Sequence, residues 1–177
     1  MNAAANVMER RSFTEVRAEG RRLEGYAATF GSEARIGSII ETIARGAFQK
    51  AIGGDVVALF DHDHGKVLGR TRSGTLRLAE DAKGLAFVLE LPDTHAGRDI
   101  LALAERGDLG GMSFGFRVPP GGDSWDGDHR TLETVDLKEI SVVSAWPAYP
   151  DTSLALRSRP ATPSPRRRRL ILAELGA

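Results

Sequence analysis

The apolar residues of this chain fall into runs too short for long helices, each closed by glycine or a polar cluster. VVALF (56–60) stands between Gly53-Gly54 and Asp61-His62-Asp63-His64, the pattern of a buried strand. Around it RLEGYAATF (22–30), IGSIIET (36–42), 66–70, 75–79, 85–91 and 112–118 also read as strands, with Gly74 and Asp81-Ala82-Lys83-Gly84 as turn material. Two closing strands are expected at 131–137 and 140–145, after a flexible polar loop at 121–129. Helical spacing is clearest at 94–106, where Ile100, Leu101 and Ala104 share a face, Asp93 or Thr94 serves as N-cap and Gly107 as the stop. GAFQKAI (46–52) predicts a short helix ended by the glycine pair. The strands at 66–91 read as a meander, and the fold class is mainly β (α+β), short strands with two or three helices.

The 177 residues, 41% of them hydrophobic, suffice for one domain with a real core. The longest apolar runs, 56–60 and 170–173, fall far short of the roughly 20 residues a membrane span needs. No apolar stretch follows the basic N-terminus, so no secretory signal is read and a cytoplasmic location is expected. With no cysteine, disulfides, thiol nucleophiles and thiolate metal sites are excluded. Net charge is zero but unevenly spread: residues 1–156 carry 18 Lys+Arg against 23 Asp+Glu, and 157–177 carry six Arg against one Glu. An acidic body of −5 disfavours nucleic-acid binding, and a +5 tail suits solvent or an acidic partner. Prolines at 160, 163 and 165 also argue against a packed extension. These features divide the chain into a flexible N-terminal arm at 1–20, a folded domain at 21–156 and a disordered Pro/Arg-rich tail at 157–177.

Three segments concentrate chemistry. Asp61-His62-Asp63-His64 holds two of the four histidines, at the mouth of an apolar strand. It reads as a general base, as an H-x-H metal pair, or as a plain polar turn. His95 and His129 lack ligand spacing to complete a metal site. In GGMSFGF (110–116), Met112, Phe114 and Phe116 occupy one face of a strand, leaving Ser113 among small neighbours on the other, open to a substrate backbone. In LKEISVVSAWPAYP (137–150), Glu139 opens a largely apolar strand, either as a solvated edge charge or as the orienter of a histidine. A Ser–His–acid relay needs a nucleophile, a base within about 3 Å of it and an acceptor that sets the base's tautomer, and each segment offers one candidate.

LFDHDHGKVLGR (59–70), GGMSFGF (110–116) and LKEISVVSAWPAYPDT (137–152) together resemble, in order and spacing, the signature blocks of the HK97-type phage prohead proteases, which are related to the herpesvirus assemblins. RGAF (45–48) and LPDTHAGRD (91–99) fit the same pattern, and the resemblance spans about 23–156. It implies an assemblin-like closed β-barrel of short antiparallel strands and a serine endopeptidase without cofactor or metal. The implied catalytic residues are His62, Ser113 and Glu139, with Asp61, Asp63 and Asp136 as nearby acidic alternatives to Glu139. The implied substrates are the scaffolding segment of the major capsid protein precursor, or a separate scaffold protein, and the protease itself. The implied setting is the assembling procapsid in the cytoplasm of a bacterial host, for a phage, a prophage or a gene transfer agent. A homodimer is expected by analogy with the assemblins, and neither a membrane nor a nucleic acid is expected as partner. Two alternatives stand beside this reading: a catalytically inactive capsid assembly factor, and a metal-dependent hydrolase using His62 and His64.

Overall fold

A computed structural model describes residues 8–13 and 15–144, apart from the side chains of 12–18. Strands β1 (Glu9–Phe13), β2 (Glu15–Glu19), β3 (Arg22–Thr29), β4 (Ala34–Ile36) and β5 (Ile39–Ile43) precede a single-turn helix, α1 (Gln49–Ile52). Next come β6 (Val57–Phe60), β7 (Asp63–Arg70), β8 (Leu76–Glu80), β9 (Gly84–Glu90) and the helix α2 (His95–Arg106). The last elements are β10 (Gly111–Arg117), β11 (Asp123–Asp126), β12 (His129–Leu132) and β13 (Asp136–Val143). The chain is thus mainly β with two helices. Neither helix is long and apolar enough to cross a membrane.

The strands form three sheets, ordered β1-β10-β13-β6-β7, β11-β12-β5-β4 and β2-β3-β9-β8. Among the described residues no barrel closes, and the expected all-antiparallel pairing is corrected: β6/β13 and β5/β12 pair in parallel. The parallel pairs join segments 82 (Val57↔Glu139) and 89 (Ile40↔His129) residues apart, and local periodicity carries no information on such pairing. All three sheets and both helices contribute to one core, through residues such as Leu23, Phe48, Phe87, Ile100, Phe114, Leu132 and Val142. Phe48 meets Phe114 edge-on at 5.6 Å, and Phe114 stacks on Phe116 at 5.0 Å, geometries that aromatic pairs favour beyond their burial.

Local chemistry accounts for the elements that were legible. Thr94 Oγ1 accepts from Gly97 N at 3.2 Å at the start of α2, and Gly107, at φ 74°, ends the helix in the left-handed conformation that glycine adopts without penalty. The Glu80 carboxylate accepts from the backbone N–H groups of Gly46 (2.6 Å) and Phe48 (3.1 Å), pinning the turn that leads into α1.

Several expected boundaries move. The strand expected at 36–42 is a hairpin, β4–β5, turning at Gly37. The polar loop at 121–129 largely forms the hairpin β11–β12. The first closing strand stops at Leu132, and Leu137 belongs to β13. The stretch expected as a loose arm contributes β1, paired along the whole of its length with β10, and β2, paired with β3. β1 is held by charge: Arg11 donates to Glu41 at 2.5 and 2.6 Å and to Glu9 at 2.8 Å, while Arg130 grips Glu9, Glu41 and Asp123. Arg11 and Glu41 are 3% and 2% exposed, so the network is a buried clamp between two sheets. The tail at 157–177 and the block from 145 to 152 lie outside the described residues.

Candidate active site

The site is built on β13, which is flanked by β10 on one side and β6 on the other. Gly115 faces Glu139 while the adjacent Phe116 faces Leu137, so β13 carries one extra residue at Lys138. This bulge shifts the phase of the strand. Leu137 and Ile140, three apart, both enter the core, and Glu139 and Ser141 turn to the other side together. Across the ladder Gly115 makes room for the carboxylate: a Cβ there would lie 2.5 Å from Glu139 Oε1.

His62 occupies the two-residue turn between β6 and β7, where Phe60 pairs with Asp63. Asp61 (φ 51°) and His62 (φ 61°) are the described non-glycine residues with positive φ. Such a mirror-image turn matches strand twist but normally takes Asn-Gly, so the backbone here is strained. Asp61 stabilises it. Its backbone N–H donates to Val142 O at 2.9 Å, and its carboxylate accepts from Ser144 N (2.8 Å) and Ser144 Oγ (2.7 Å). The turn is thereby fastened to the end of β13, and the imidazole Nδ1 lies 2.9 Å from Glu139 Oε1.

The structure thus brings His62 and Glu139 together. The acidic alternatives are engaged elsewhere: Asp61 with Ser144, Asp63 with Gly65 N and Lys66, and Asp136 with Lys138. Ser113 lies one strand away on β10, directly across from Ser141 and two residues from Gly115. The expectation that it is open to substrate does not hold for this conformation. Ser113 is 0% exposed, and its Oγ has no hydrogen-bond partner among the described residues, so the Ser113–His62 hydrogen bond of a relay is not made. Large side chains of Met112 and Phe114 flank it in the core, as the alternation requires.

Glu139 is 2% exposed. Burial pushes its pKa up, but the hydrogen bond and charge of His62, followed by those of Arg10, outweigh it and hold the carboxyl below its ordinary value. An ionised carboxylate only accepts, so Nδ1 is the donor in this contact, and an imidazole protonated there carries, in its neutral form, its lone pair on Nε2. Ser141 Oγ donates to the second oxygen, Oε2, at 3.1 Å. Arg10 Nε donates to Oε1 at 3.0 Å. Arg10 and Ser141 were not identified from sequence. For Ser141 the i+2 spacing from Glu139 on a strand was the available signal, whereas Arg10 lies 129 positions away with nothing local to connect it.

His64 is exposed on the irregular first part of β7, and His95 and His129 are exposed as well. Among the described residues no three His, Asp or Glu side chains gather into a group able to hold a metal. The geometry therefore offers a hydroxyl, an imidazole and an ionised carboxylate on neighbouring elements, the constituents of acyl transfer.

In comparison with known families, a model described as caudovirus prohead serine protease matches residues 7–165. Neither the curated proteins nor the solved structures give a significant match.

Proposed function

The chain belongs to the caudovirus prohead serine protease family, a family of phage capsid maturation, and from that premise we propose that it is a Ser–His–Glu endopeptidase with Ser113 as nucleophile, His62 as base and Glu139 as orienter. The observation that carries this reading is the buried, ionised Glu139 accepting from His62 Nδ1 at 2.9 Å, which sets the tautomer a general base requires. Its complement is the unpartnered Ser113 Oγ on the adjoining strand. A buried hydroxyl without a partner costs about 1–3 kcal/mol, a cost consistent with a group kept for chemistry.

In the reaction His62 Nε2 takes the proton of Ser113 Oγ as that oxygen attacks the scissile carbonyl carbon. The C–N bond then breaks, with the same proton passing to the leaving amine, and water hydrolyses the acyl-enzyme by the reverse proton path. Glu139 stays ionised throughout and stabilises the imidazolium. Because Ser113 is covered and not hydrogen-bonded to His62, substrate must open the face of β10 and draw the two together; relays often tighten only on binding. The proposed substrate is the scaffolding segment of the major capsid protein precursor, or a separate scaffold protein, and the protease itself, inside the procapsid in the host cytoplasm. The tail at 157–177, with its six arginines, is proposed to meet an acidic scaffold surface there.

Incubation of the full chain with its cognate capsid precursor tests the reading. Ser113→Ala and His62→Ala each abolish cleavage. Ser113→Ala also leaves stability to urea unchanged or slightly raised, since it removes an unsatisfied hydroxyl. Near-normal proteolysis by Ser113→Ala would end the serine mechanism, and a wild-type chain that cuts nothing would favour an assembly factor.

A further inference from the structure

We propose that Arg10 is a positioning residue of this site: from the N-terminal strand its guanidinium shares Glu139 Oε1 with His62 and keeps that carboxylate aimed at the imidazole. The inference rests on the assignment of His62, Ser113 and Glu139 to a protease relay. Three donors converge on one buried carboxylate, Arg10 Nε at 3.0 Å and His62 Nδ1 at 2.9 Å on Oε1, and Ser141 Oγ at 3.1 Å on Oε2.

Only one of these donors carries a permanent charge. During a catalytic cycle the imidazole is neutral, then cationic, then neutral again. A carboxylate this deeply buried, facing a neutral imidazole and a hydroxyl alone, would favour its protonated form. Arg10 supplies a positive charge that does not come and go with the transferred proton. Glu139 therefore remains an acceptor for Nδ1–H in the resting state, when the tautomer has to be correct for the next attack.

The placement of Arg10 follows from its neighbour. Successive strand residues point to opposite faces. In β1 Arg10 turns toward Glu139, and Arg11 turns the other way into the clamp with Glu41 and Glu9. The buried clamp sets the register in which Arg10 lies across from Gly115, itself across from Glu139. Arg10 keeps a quarter of its side chain exposed, 26%, so its removal opens a path from solvent to the carboxylate. The N-terminal strand is thus part of the active site, and a self-cut between Arg10 and the body would disable the enzyme.

Full-length Arg10→Gln, Arg10→Lys and Arg10→Ala are compared on the purified capsid precursor, with phosphonylation of Ser113 by a fluorophosphonate, which expels fluoride, as an independent readout. Arg10→Gln is expected to lower kcat roughly 10- to 100-fold, by analogy with the loss of the outer partners that orient metal-ligating side chains, with KM changed less than about twofold, because the interaction aids the reacting groups and not substrate binding. Arg10→Lys recovers part of the loss, and added guanidinium or ethylguanidinium at millimolar concentration restores activity to Arg10→Ala but not to wild type. Wild-type kcat in Arg10→Gln would overturn the proposal. So would a loss that neither lysine nor guanidinium relieves and that follows a fall in Tm, for Arg10 would then only hold β1. If the wild-type chain neither cleaves the precursor nor labels at Ser113, the protease assignment fails first, and this inference falls with it.

Discussion

At position 115 an added Cβ would meet Glu139 Oε1 at 2.5 Å and Cγ at 2.6 Å, well inside contact distance. The glycine is there for close approach: the carboxylate lies across the neighbouring strand, where His62, Arg10 and Ser141 all reach it. An alanine displaces Oε1 from Nδ1, and a misplacement of this size matters in the proposed relay, where orientation is most of what Glu139 would contribute. Gly115→Ala is expected to lower turnover at least tenfold, about 1.4 kcal/mol of barrier, and to cost about 1–3 kcal/mol of stability from overpacking. Steady-state kinetics beside urea unfolding check both, and an alanine variant with wild-type turnover would show that this contact does not aim the carboxylate. Asp61 is the second residue whose role is structural in the service of the site. Its two hydrogen bonds to Ser144 hold the left-handed turn that presents His62, so an acidic residue beside the proposed base acts on the turn and not on the imidazole.

Among the elements β1 is the one whose attachment depends on charge. Arg11, buried at the sheet boundary, bridges Glu41 on β5 and Glu9 on its own strand, and its guanidinium lies 5.3 Å from the ring centroid of Phe116. Removing one member of a buried ion pair leaves its partner's charge without compensation, at about 3–5 kcal/mol. Arg130 still reaches Glu41 at 3.1 Å, which places Arg11→Met toward the lower end of that range. Urea unfolding measures the loss, and hydrogen exchange of the β10 amides paired with β1 reports whether the strand detaches. A change below about 1 kcal/mol with unaltered exchange would mean that the ladder between β1 and β10 suffices without the clamp. Activity should fall along with stability in this variant, since β1 delivers Arg10.

For the whole molecule the proposed division of labour is between a folded body that cuts and a basic tail that recruits. The body to residue 156 carries a net −5 and the tail a net +5, and a cluster of arginines is attracted to acidic surfaces over a Debye length of about 8 Å at physiological salt. A chain truncated after Leu156 is expected to cleave soluble capsid precursor at the wild-type rate while entering procapsids less efficiently, which quantitative gels of purified particles would measure. The family match continues to residue 165. Outright loss of cleavage on truncation would move the domain boundary outward into that segment.

Elements whose identity is encoded within a few neighbouring residues were legible in the sequence. The apolar run before Asp61 is β6, the alternation through Met112, Phe114 and Phe116 is β10, and the Thr94 cap and Gly107 stop bound α2. His62, Ser113 and Glu139 were identified as site candidates from three short motifs and from the family resemblance that those motifs carry. The sheets were not legible, because hydrogen-bonded strand partners leave no local mark: β6 lies beside β13 in parallel, 82 positions away along the chain at Val57↔Glu139. The stretch holding β1 was read mostly as a loose arm because ERRSF is rich in charge, which burial normally forbids; Arg11 is buried because Glu41, far off in sequence, neutralises it, while Arg130 pairs with Glu9. The same holds at the site. A carboxylate's meaning depends on which donors converge on it in space, and only the tertiary structure sets Arg10, His62 and Ser141 around Glu139.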